Sequence, residues 1–329
     1  MNEKKPKIAV YWASSCGGCD VAVLGLHEKL LELVDYADIA FWPAAADIKY
    51  DDVESMKPGE IDVTLFNGAI RTSENEEIAE MLREKSKILV AYGSCSAQGG
   101  IPGLANLSNR EDVFEEAYLN NKTTPNPDKI TPQNVTEKDS KKLKLPFFYD
   151  RVKSLDQVVE VDYTVPGCPP HGNLTEKFVE LLLANDLPEK GSVIANEKSV
   201  CDECSREWQR EPIEKFVRPH EVEVDEEKCL LDQGIICMGP ATRGGCDASC
   251  PDTNMPCAGC QGPPSSVEDQ GTKMLNSLAS VFGIGEEGSH LEQEKDILEN
   301  FPDPVGTFYK YSLPKSIFGG RIEEERKDG

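Results

Sequence analysis

Two cysteines near the start of the chain are the first residues whose type and spacing suggest chemistry. Cys16 and Cys19 form a C-x2-C pair with two glycines between them, where the apolar run KIAVYW passes into a helix-like segment. Two thiols at this spacing can form a redox-active disulfide, supply half of a zinc site or bind part of an electron-carrying metal centre. The pair by itself leaves all three interpretations open.

Cysteine is abundant in this chain of 329 residues. Twelve cysteines are present, at positions 16, 19, 95, 168, 201, 204, 229, 237, 246, 250, 257 and 260. An even dozen would suggest six disulfides in a secreted protein, but the N-terminal sequence MNEKKPKIAVYW has neither the apolar core nor the cleavage site of a signal peptide. We therefore predict a cytoplasmic protein in a reducing compartment, where such disulfides do not persist. Metal ligation is the favoured interpretation, and twelve thiols divide into three sets of four.

The charge of the chain bounds its partners. Thirty-five basic and 59 acidic residues give a formal net charge of −24. This balance argues against nucleic acid as a partner, because few positive charges are available to neutralise phosphates. No window of eighteen uncharged apolar residues occurs, so we predict no direct membrane insertion. The acidity indicates a solvated surface, with steering of a basic partner or a salt-rich cytosol as less favoured readings.

The first half of the chain has the pattern of an α/β fold. Apolar runs predict five strands, at 7–12, 38–42, 61–68, 87–93 and 158–167. Helix-like segments alternate with them, at about 21–34, 73–85 and 173–186. Nearly continuous apolar strands that alternate with helices predict a parallel sheet covered on both faces. We predict a flavodoxin-like doubly wound parallel sheet in a domain of residues 1–195, with a polar insertion at 107–147.

This fold would bring four thiols together. Cys16 and Cys19 follow the first predicted strand, Cys95 follows the fourth and Cys168 the fifth. In an open parallel sheet, ligands bind in the crevice outside the carboxyl ends of the strands. The flanking glycines would let the backbone approach a bulky cofactor, and they are Gly17, Gly18, Gly93, Gly99, Gly100 and Gly167. A thioredoxin-type dithiol, which needs no further cysteines, and a zinc ion, which usually takes local pairs, stay open as less favoured alternatives.

The second half is rich in cysteine and lacks clear periodicity. Eight cysteines fall between residues 201 and 260, as the pairs C-x2-C (201–204), C-x3-C (246–250) and C-A-G-C (257–260) and the single residues 229 and 237. Eight sulfurs suit two four-ligand sites, and ligation by thiolates alone is typical of iron–sulfur clusters or zinc. We predict an irregular cysteine-rich iron–sulfur domain over residues 196–265 that depends on its metal for folding energy. Two zinc sites are the alternative for this half taken alone.

The remaining sequence offers no active site of its own. The four histidines form no catalytic motif, and they are His27, His171, His220 and His290. We expect His171 to be a solvated or hydrogen-bonded loop residue rather than a modulator of the nearby thiols. Residues 265–284 predict one amphipathic helix. We predict that 266–329 form a C-terminal docking segment that packs against a partner subunit, with a loosely held terminus as the alternative.

The cysteine motifs together resemble a known family over residues 7 to about 265. The motifs are C-x2-C at 16–19, G-S-C at 93–95, P-G-C-P-P at 166–170, C-x2-C at 201–204, C-L at 229–230, C-M-G-P at 237–240 and C-A-G-C at 257–260. This set resembles the small subunit of nickel–iron hydrogenases. In order and spacing it looks most like the gamma subunit of the cytosolic, methyl-viologen-reducing and deazaflavin-non-reducing hydrogenase of methanogens, which is associated with heterodisulfide reductase.

The resemblance implies ligands for three 4Fe–4S clusters. It assigns the proximal cluster, nearest the nickel–iron centre, to Cys16, Cys19, Cys95 and Cys168. It assigns the medial cluster to Cys246, Cys250, Cys257 and Cys260, and the distal cluster to Cys201, Cys204, Cys229 and Cys237. Periplasmic and membrane-bound members differ, since they have a histidine in place of Cys201, only three medial cysteines and a twin-arginine signal peptide. These departures favour a cytosolic, electron-distributing member.

The resemblance also implies a division of labour between chains. A nickel–iron hydrogenase large subunit would hold the metal centre that splits hydrogen, so no catalytic residue is expected here. This chain would conduct electrons to a small iron–sulfur adaptor subunit and on to a heterodisulfide reductase complex in methanogenesis. The alternative within the family is a sister cytosolic hydrogenase that reduces deazaflavin, NAD(P) or sulfur. A zinc-stabilised binding module is the alternative from another class.

Overall fold

Residues 5–209, 215–281 and 303–319 are described in a computed structural model of the chain. In chain order the strands are β1 (Lys7–Trp12), β2 (Asp38–Phe41), β3 (Ile61–Asn67), β4 (Ile70–Thr72), β5 (Ser86–Tyr92), β6 (Val135–Lys138), β7 (Lys141–Lys144), β8 (Phe148–Lys153) and β9 (Tyr163–Val165). The helices, in the same order, are α1 (Gly18–Leu24), α2 (Glu28–Tyr36), α3 (Tyr50–Glu54), α4 (Ser73–Lys85), α5 (Ser94–Gln98), α6 (Arg110–Phe114), α7 (Gly172–Leu183), α8 (Gln270–Val281) and α9 (Pro304–Phe308).

The central sheet is parallel, with the strand order β2–β1–β3–β5–β9. Strand β1 pairs with β2 on one side and with β3 on the other, and the later strands continue outward from β3. This is the doubly wound order of flavodoxin-like folds, in which the chain runs to both sides of the first strand. The predicted α/β fold class is confirmed.

The sheet is buried on both faces, which explains its almost unbroken apolar strands. In β3 only Asp62 is not fully buried. Because side chains alternate along a strand, Phe66 packs on one face with Leu82 of α4, while Leu65 packs on the other face with Phe178 of α7. A sheet held from both sides fixes the loops that leave its carboxyl ends.

Two predicted elements in this half differ from the structure. The helix predicted over 21–34 is two helices, because the Gly25 N–H bonds the Val21 carbonyl at 2.8 Å as α1 ends and His27 then takes a φ of +50°. The strand predicted over 158–167 retains only β9, because the turn that begins at Leu155 continues to Val159, whose N–H bonds the Leu155 carbonyl at 3.0 Å. Periodicity therefore identified both segments, but it missed the break in the helical segment and overestimated the length of the strand.

The stretch predicted as a polar insertion, 107–147, has local structure that its composition did not predict. It contains α6 and an antiparallel hairpin of β6 and β7, and every residue of these two strands is exposed. Strands β4 and β8 form a second antiparallel pair beside it. A two-stranded hairpin without a buried face depends mainly on its own backbone hydrogen bonds, so this stretch adds little to the core.

The cysteine-rich region shares a small apolar core with the C-terminal helices. Among the described residues of 196–265, regular structure consists of short 3-10 turns. Leu230, Ile235 and Met238 belong to one buried cluster with Met274 of α8 and Phe308 of α9. The two C-terminal helices therefore complete the core of this irregular region.

The C-terminal part is only partly described. The helix predicted over 265–284 begins at Gln270 as α8, and residues 282–302 and 320–329 lie outside the described residues. Residues 303–319 pack on this chain itself, whereas docking of 266–329 onto a partner remains a prediction. Every helix within the described ranges is too short or too polar for a membrane span.

Candidate metal centres

The carboxyl ends of three sheet strands bring the first four cysteines to one place. Cys16 and Cys19 flank the start of α1, directly after β1, and Cys95 lies in α5, directly after β5. Cys168 follows β9, which pairs with β5. The predicted convergence of these residues at one end of the sheet is what the strand order produces.

The four thiols lie close enough to influence one another. Burial raises the pKa of Cys19 strongly, and the charges of Cys95, Cys168 and Cys16 raise it further. Burial likewise raises the pKa of Cys95 to about 12, with added contributions from Cys168 and Cys16. Packing several thiols together disfavours their thiolates, and a bound cation reverses that preference. The donor set therefore fits a metal centre that binds thiolates.

Two glycines give this group its space. Gly93 has a φ of +92°, and a Cβ there would lie 2.4 Å from the Cys19 Sγ. Gly100 has a φ of +58°, and a Cβ there would lie 2.6 Å from the Cys95 Sγ. Any larger residue at either position would displace a sulfur, so both glycines serve the thiol group rather than general chain flexibility.

A second group gathers Cys201, Cys204, Cys229 and Cys237. Burial of the thiol raises the pKa of Cys201 to about 12, and the charges of Cys237, Cys229 and Cys204 add to this effect. Burial raises the pKa of Cys237 to about 11, although N–H groups of Gly239 and Cys257 bond its sulfur and oppose the rise. These four positions come from a 3-10 turn and two loops, so the sequence spacing alone did not determine their proximity.

The third group, Cys246, Cys250, Cys257 and Cys260, lies between the other two. Burial raises the pKa of Cys260 to about 12, and the charges of Cys246, Cys168 and Cys250 contribute. Burial also raises the pKa of Cys257 well above its usual value, and its strongest charged neighbour is Cys237. Cys260 thus faces the first group, and Cys257 faces the second.

Close contacts connect the three groups one after another. The Cys168 backbone lies beside the Cys260 thiol, and the Ser94 hydroxyl donates to the Cys260 carbonyl. On the other side, the Cys257 N–H donates to the Cys237 Sγ at 3.3 Å. The order of contact is first group, third group, second group.

All twelve cysteines lie in described residues, and none of them forms a disulfide. Within the described residues, no three His, Cys, Asp or Glu side chains have the arrangement of a site for a single metal ion. His171 is exposed, and its Nδ1 lies 2.8 Å from the Asn173 Oδ1 while its Nε2 lies 3.4 Å from the Ser249 Oγ. It is thus the hydrogen-bonded loop histidine that the sequence favoured, whereas His290 lies outside the described residues.

Sequence reasoning missed two polar side chains beside the thiols. Gln261, next to Cys260, lies beside the Cys246 thiol, and Tyr311 lies beside the Cys168 thiol. Gln261 could have been predicted to lie near the thiols, because it directly follows Cys260 in the sequence. Tyr311 carried no such signal, because it is far from Cys168 in the sequence and meets it only through the fold.

A polar cavity of about 400 Å³ adjoins the first and third groups. Gln98, Gln261 and Ser312 line it, and each has a buried oxygen without a hydrogen-bond partner in the protein. Buried polar atoms of this kind usually bind ordered water. The cavity is therefore expected to be hydrated.

Comparisons with known proteins identify the family of the chain. Residues 16–182 match the family model described as the NADH ubiquinone oxidoreductase 20 Kd subunit. The chain is 42% identical over 323 residues to the iron-sulfur subunit of the F420-non-reducing hydrogenase of Archaeoglobus profundus, covering 96% of this chain and 98% of the relative. It is 39% identical over 327 residues to a subunit of the F420-non-reducing hydrogenase of Methanothermobacter marburgensis, covering 98% and 99%.

Among solved structures, a chain of an NAD⁺-reducing NiFe-hydrogenase in the H2-reduced state is 26% identical, with a TM-score of 0.48, covering 56% of this chain and 95% of that one. The sequence relatives, matched over almost their full lengths, carry the assignment. The chain belongs to the family of small subunits of F420-non-reducing nickel–iron hydrogenases, and is thus part of an oxidoreductase that acts on hydrogen and has its catalytic site in the partner subunit.

Proposed function

We propose that this chain conducts electrons from the nickel–iron centre of its large-subunit partner through three 4Fe–4S clusters. The proposed ligands of the proximal cluster are Cys16, Cys19, Cys95 and Cys168. Those of the medial cluster are Cys246, Cys250, Cys257 and Cys260, and those of the distal cluster are Cys201, Cys204, Cys229 and Cys237. When bound, such clusters supply one-electron redox chemistry.

One observation carries this proposal: the thiols form three groups of four, and each group contacts the next. The contact of Cys168 with Cys260 connects the proximal and medial groups, and the contact of Cys257 with Cys237 connects the medial and distal groups. A single structural metal site would need neither the second nor the third group. Short connections between successive groups support a path for electrons.

The residues of this chain prepare the sites in three ways. The doubly wound sheet fixes the proximal thiols, and two of them, Cys19 and Cys95, are buried away from water. Backbone N–H groups donate to sulfur, as between Cys257 and Cys237. Hydrogen bonds to sulfur and limited solvent exposure are the levers by which a protein sets the potential of an iron–sulfur centre.

We further propose that the domains divide as 1–195, with the proximal cluster, and 196–265, with the medial and distal clusters, followed by a docking segment at 266–329. Electrons would leave from the distal cluster to a small iron–sulfur adaptor and a heterodisulfide reductase complex. The compartment proposed is the cytoplasm, because twelve cysteines without a disulfide suit a reducing environment. Co-purification tests these partners: an adaptor with heterodisulfide reductase supports them, and a dedicated flavoprotein subunit would favour the sister hydrogenases.

Metal analysis of the anaerobically purified complex tests the cluster assignment. Three cubane clusters require about twelve iron atoms and as many acid-labile sulfides per chain. Stoichiometric zinc without visible absorption would instead support the zinc-stabilised module. The variant Cys229→Ala offers a matched comparison, because it removes one proposed distal ligand and leaves the proximal and medial groups intact.

A further inference from the structure

Arg206 joins three loops beside the second thiol group into one platform. These loops are 204–209, 225–229 and 250–255. The Arg206 Nε donates to the Pro251 carbonyl at 3.0 Å, and its Nη1 donates to the Lys228 carbonyl at 3.0 Å. Its Nη2 donates to the Asn254 Oδ1. One half-buried guanidinium therefore holds the three loops in a fixed arrangement.

The platform lies directly against the second group of cysteines. The Cys229 N–H donates to the Glu207 carbonyl at 2.8 Å, and the Glu207 N–H donates to the Glu227 carbonyl at 2.7 Å. Trp208 follows Glu207 in the sequence, and Cys204 lies four residues before Trp208. Backbone hydrogen bonds thus fix the chain around Trp208 beside two of the proposed distal ligands.

Two large apolar side chains are exposed on this platform. Trp208 is 53% exposed and Met255 is 54% exposed. The Met255 N–H donates to the Cys250 carbonyl at 3.0 Å, so this residue also lies close to the thiol groups. Tryptophan is enriched among the residues that anchor protein interfaces, and methionine is enriched at interfaces in general. The two side chains have the character of the apolar centre of a docking surface.

Acidic side chains surround this apolar centre. Five exposed carboxylates lie on the same loops, and they are Glu207, Asp225, Glu226, Glu227 and Asp252. The Asn254 Nδ2, next to Met255 in the chain, donates to the Glu226 Oε1 at 3.2 Å. The structure describes every residue of the three loops, and their basic residues are Arg206 and Lys228, so negative charge is in excess. A second copy of this chain would present the same negative charge and be repelled, which argues against self-association here.

We propose that this platform is the docking surface for the protein that takes electrons from the distal centre, and that this acceptor presents an apolar pocket ringed by lysine or arginine. The inference rests on the proposed distal cluster, because the ligands Cys204 and Cys229 would place the electron donor directly behind the platform. In each encounter the reduced distal centre loses one electron, and the redox centre of the acceptor gains it. Opposite charges steer such encounters and raise the rate of association at low ionic strength.

Mammalian cytochrome c is a suitable probe, because it is a basic one-electron acceptor whose lysines surround an apolar haem edge. The complex of this chain with its large subunit, reduced by H2, should reduce cytochrome c with a second-order rate constant that falls about tenfold or more between about 10 and about 200 mM salt. Soluble cytochrome b5, an acidic acceptor, should instead react faster as salt is added. A rate constant for cytochrome c that does not change with salt would overturn the proposal without any variant.

The double variant Glu226→Lys with Glu227→Lys tests where the surface lies, and Glu77→Lys with Glu80→Lys is its matched control. Each replaces two negative charges by two positive ones, but Glu77 and Glu80 are exposed on α4 in the doubly wound domain. At low salt the rate constant for cytochrome c should fall about tenfold in the first variant and stay near the wild-type value in the second. Trp208→Ala should lower the rate constant at every salt concentration, because it removes an apolar contact rather than a charge. Equal rate constants in the two double variants would refute this placement.

Two further measurements separate the possible failures. Electron paramagnetic resonance and iron content show whether the distal cluster is present. Its absence from the wild type refutes the proposed function, whereas a full set of clusters with salt-independent reduction refutes the docking surface alone. Gel filtration should show the large subunit bound in the wild type and in every variant. Its release from the Glu226 and Glu227 double variant would show that the large subunit covers the platform, which would contradict the proposal.

Discussion

The substitution Gly93→Ala tests how closely the proximal site is fitted to its backbone. Gly93 has a φ of 92° and a ψ of 162°, a conformation that is essentially restricted to glycine and costs other residues about 1–3 kcal/mol. An added Cβ would lie 2.4 Å from the Cys19 Sγ, whereas ordinary contact begins at 3.4 Å. The sulfur would therefore have to retreat by about 1 Å, which exceeds the roughly 0.2 Å by which metal–ligand distances vary.

We expect Gly93→Ala to lose the proximal cluster, or about one third of the iron and acid-labile sulfide per chain. The free energy of unfolding should fall by about 1–3 kcal/mol from the backbone conformation alone. Gly172→Ala is the matched control, because nothing lies within 4 Å of a Cβ built there and its φ is not positive. Metal analysis and urea denaturation measure both effects. A full iron content in Gly93→Ala, equal to that of Gly172→Ala, would refute the assignment of Cys19 as a ligand held by this contact.

Three further outcomes are expected. Asp162→Asn should lower the free energy of unfolding, measured in urea, by about 2 kcal/mol, because the buried carboxylate accepts from Arg83 at 2.6 Å and such pairs are costly to break. Burial raises the pKa of Asp162, but its hydrogen bonds outweigh burial and lower the pKa overall. The stability contributed by this carboxylate should therefore be present above about pH 4 and be lost as the pH falls through the lowered pKa. A crystal structure should show ordered water on the Oε1 atoms of Gln98 and Gln261, and a dry cavity would contradict this. Brief trypsin treatment should cut the lysine-rich hairpin β6–β7 before the central sheet, and first cleavage within the sheet would contradict its exposure.

Much of the fold followed from the sequence because strand periodicity and burial act locally. The apolar runs that became β1, β3 and β5 are covered on both faces, and a parallel order then placed Cys16, Cys95 and Cys168 at one end. The break between α1 and α2 was not predictable from hydrophobic spacing, since it depends on the backbone of His27. The exposed hairpin β6–β7 could not be predicted either, because its strands lack the alternation of apolar and polar residues that a half-buried strand shows.

The contacts beyond the cysteines were not accessible from the sequence. Tyr311 meets Cys168 only because the C-terminal segment folds back over the loop that contains Gly100. Packing of this kind brings together residues that are distant in the chain, and neither periodicity nor motif spacing predicts such contacts. The family resemblance likewise ended near residue 265 and so offered no expectation for Tyr311.

The central claim is that electrons pass through this chain from the proximal thiol group, and Cys19→Ala in the complete complex tests it most directly. The large subunit should still exchange hydrogen isotopes between H2 and D2O, because its metal centre is untouched. Reduction of methyl viologen by H2 should be lost or greatly reduced, because the proximal cluster, the first electron acceptor in this chain, would be missing. Dye reduction at the wild-type rate, with isotope exchange intact, would contradict the account.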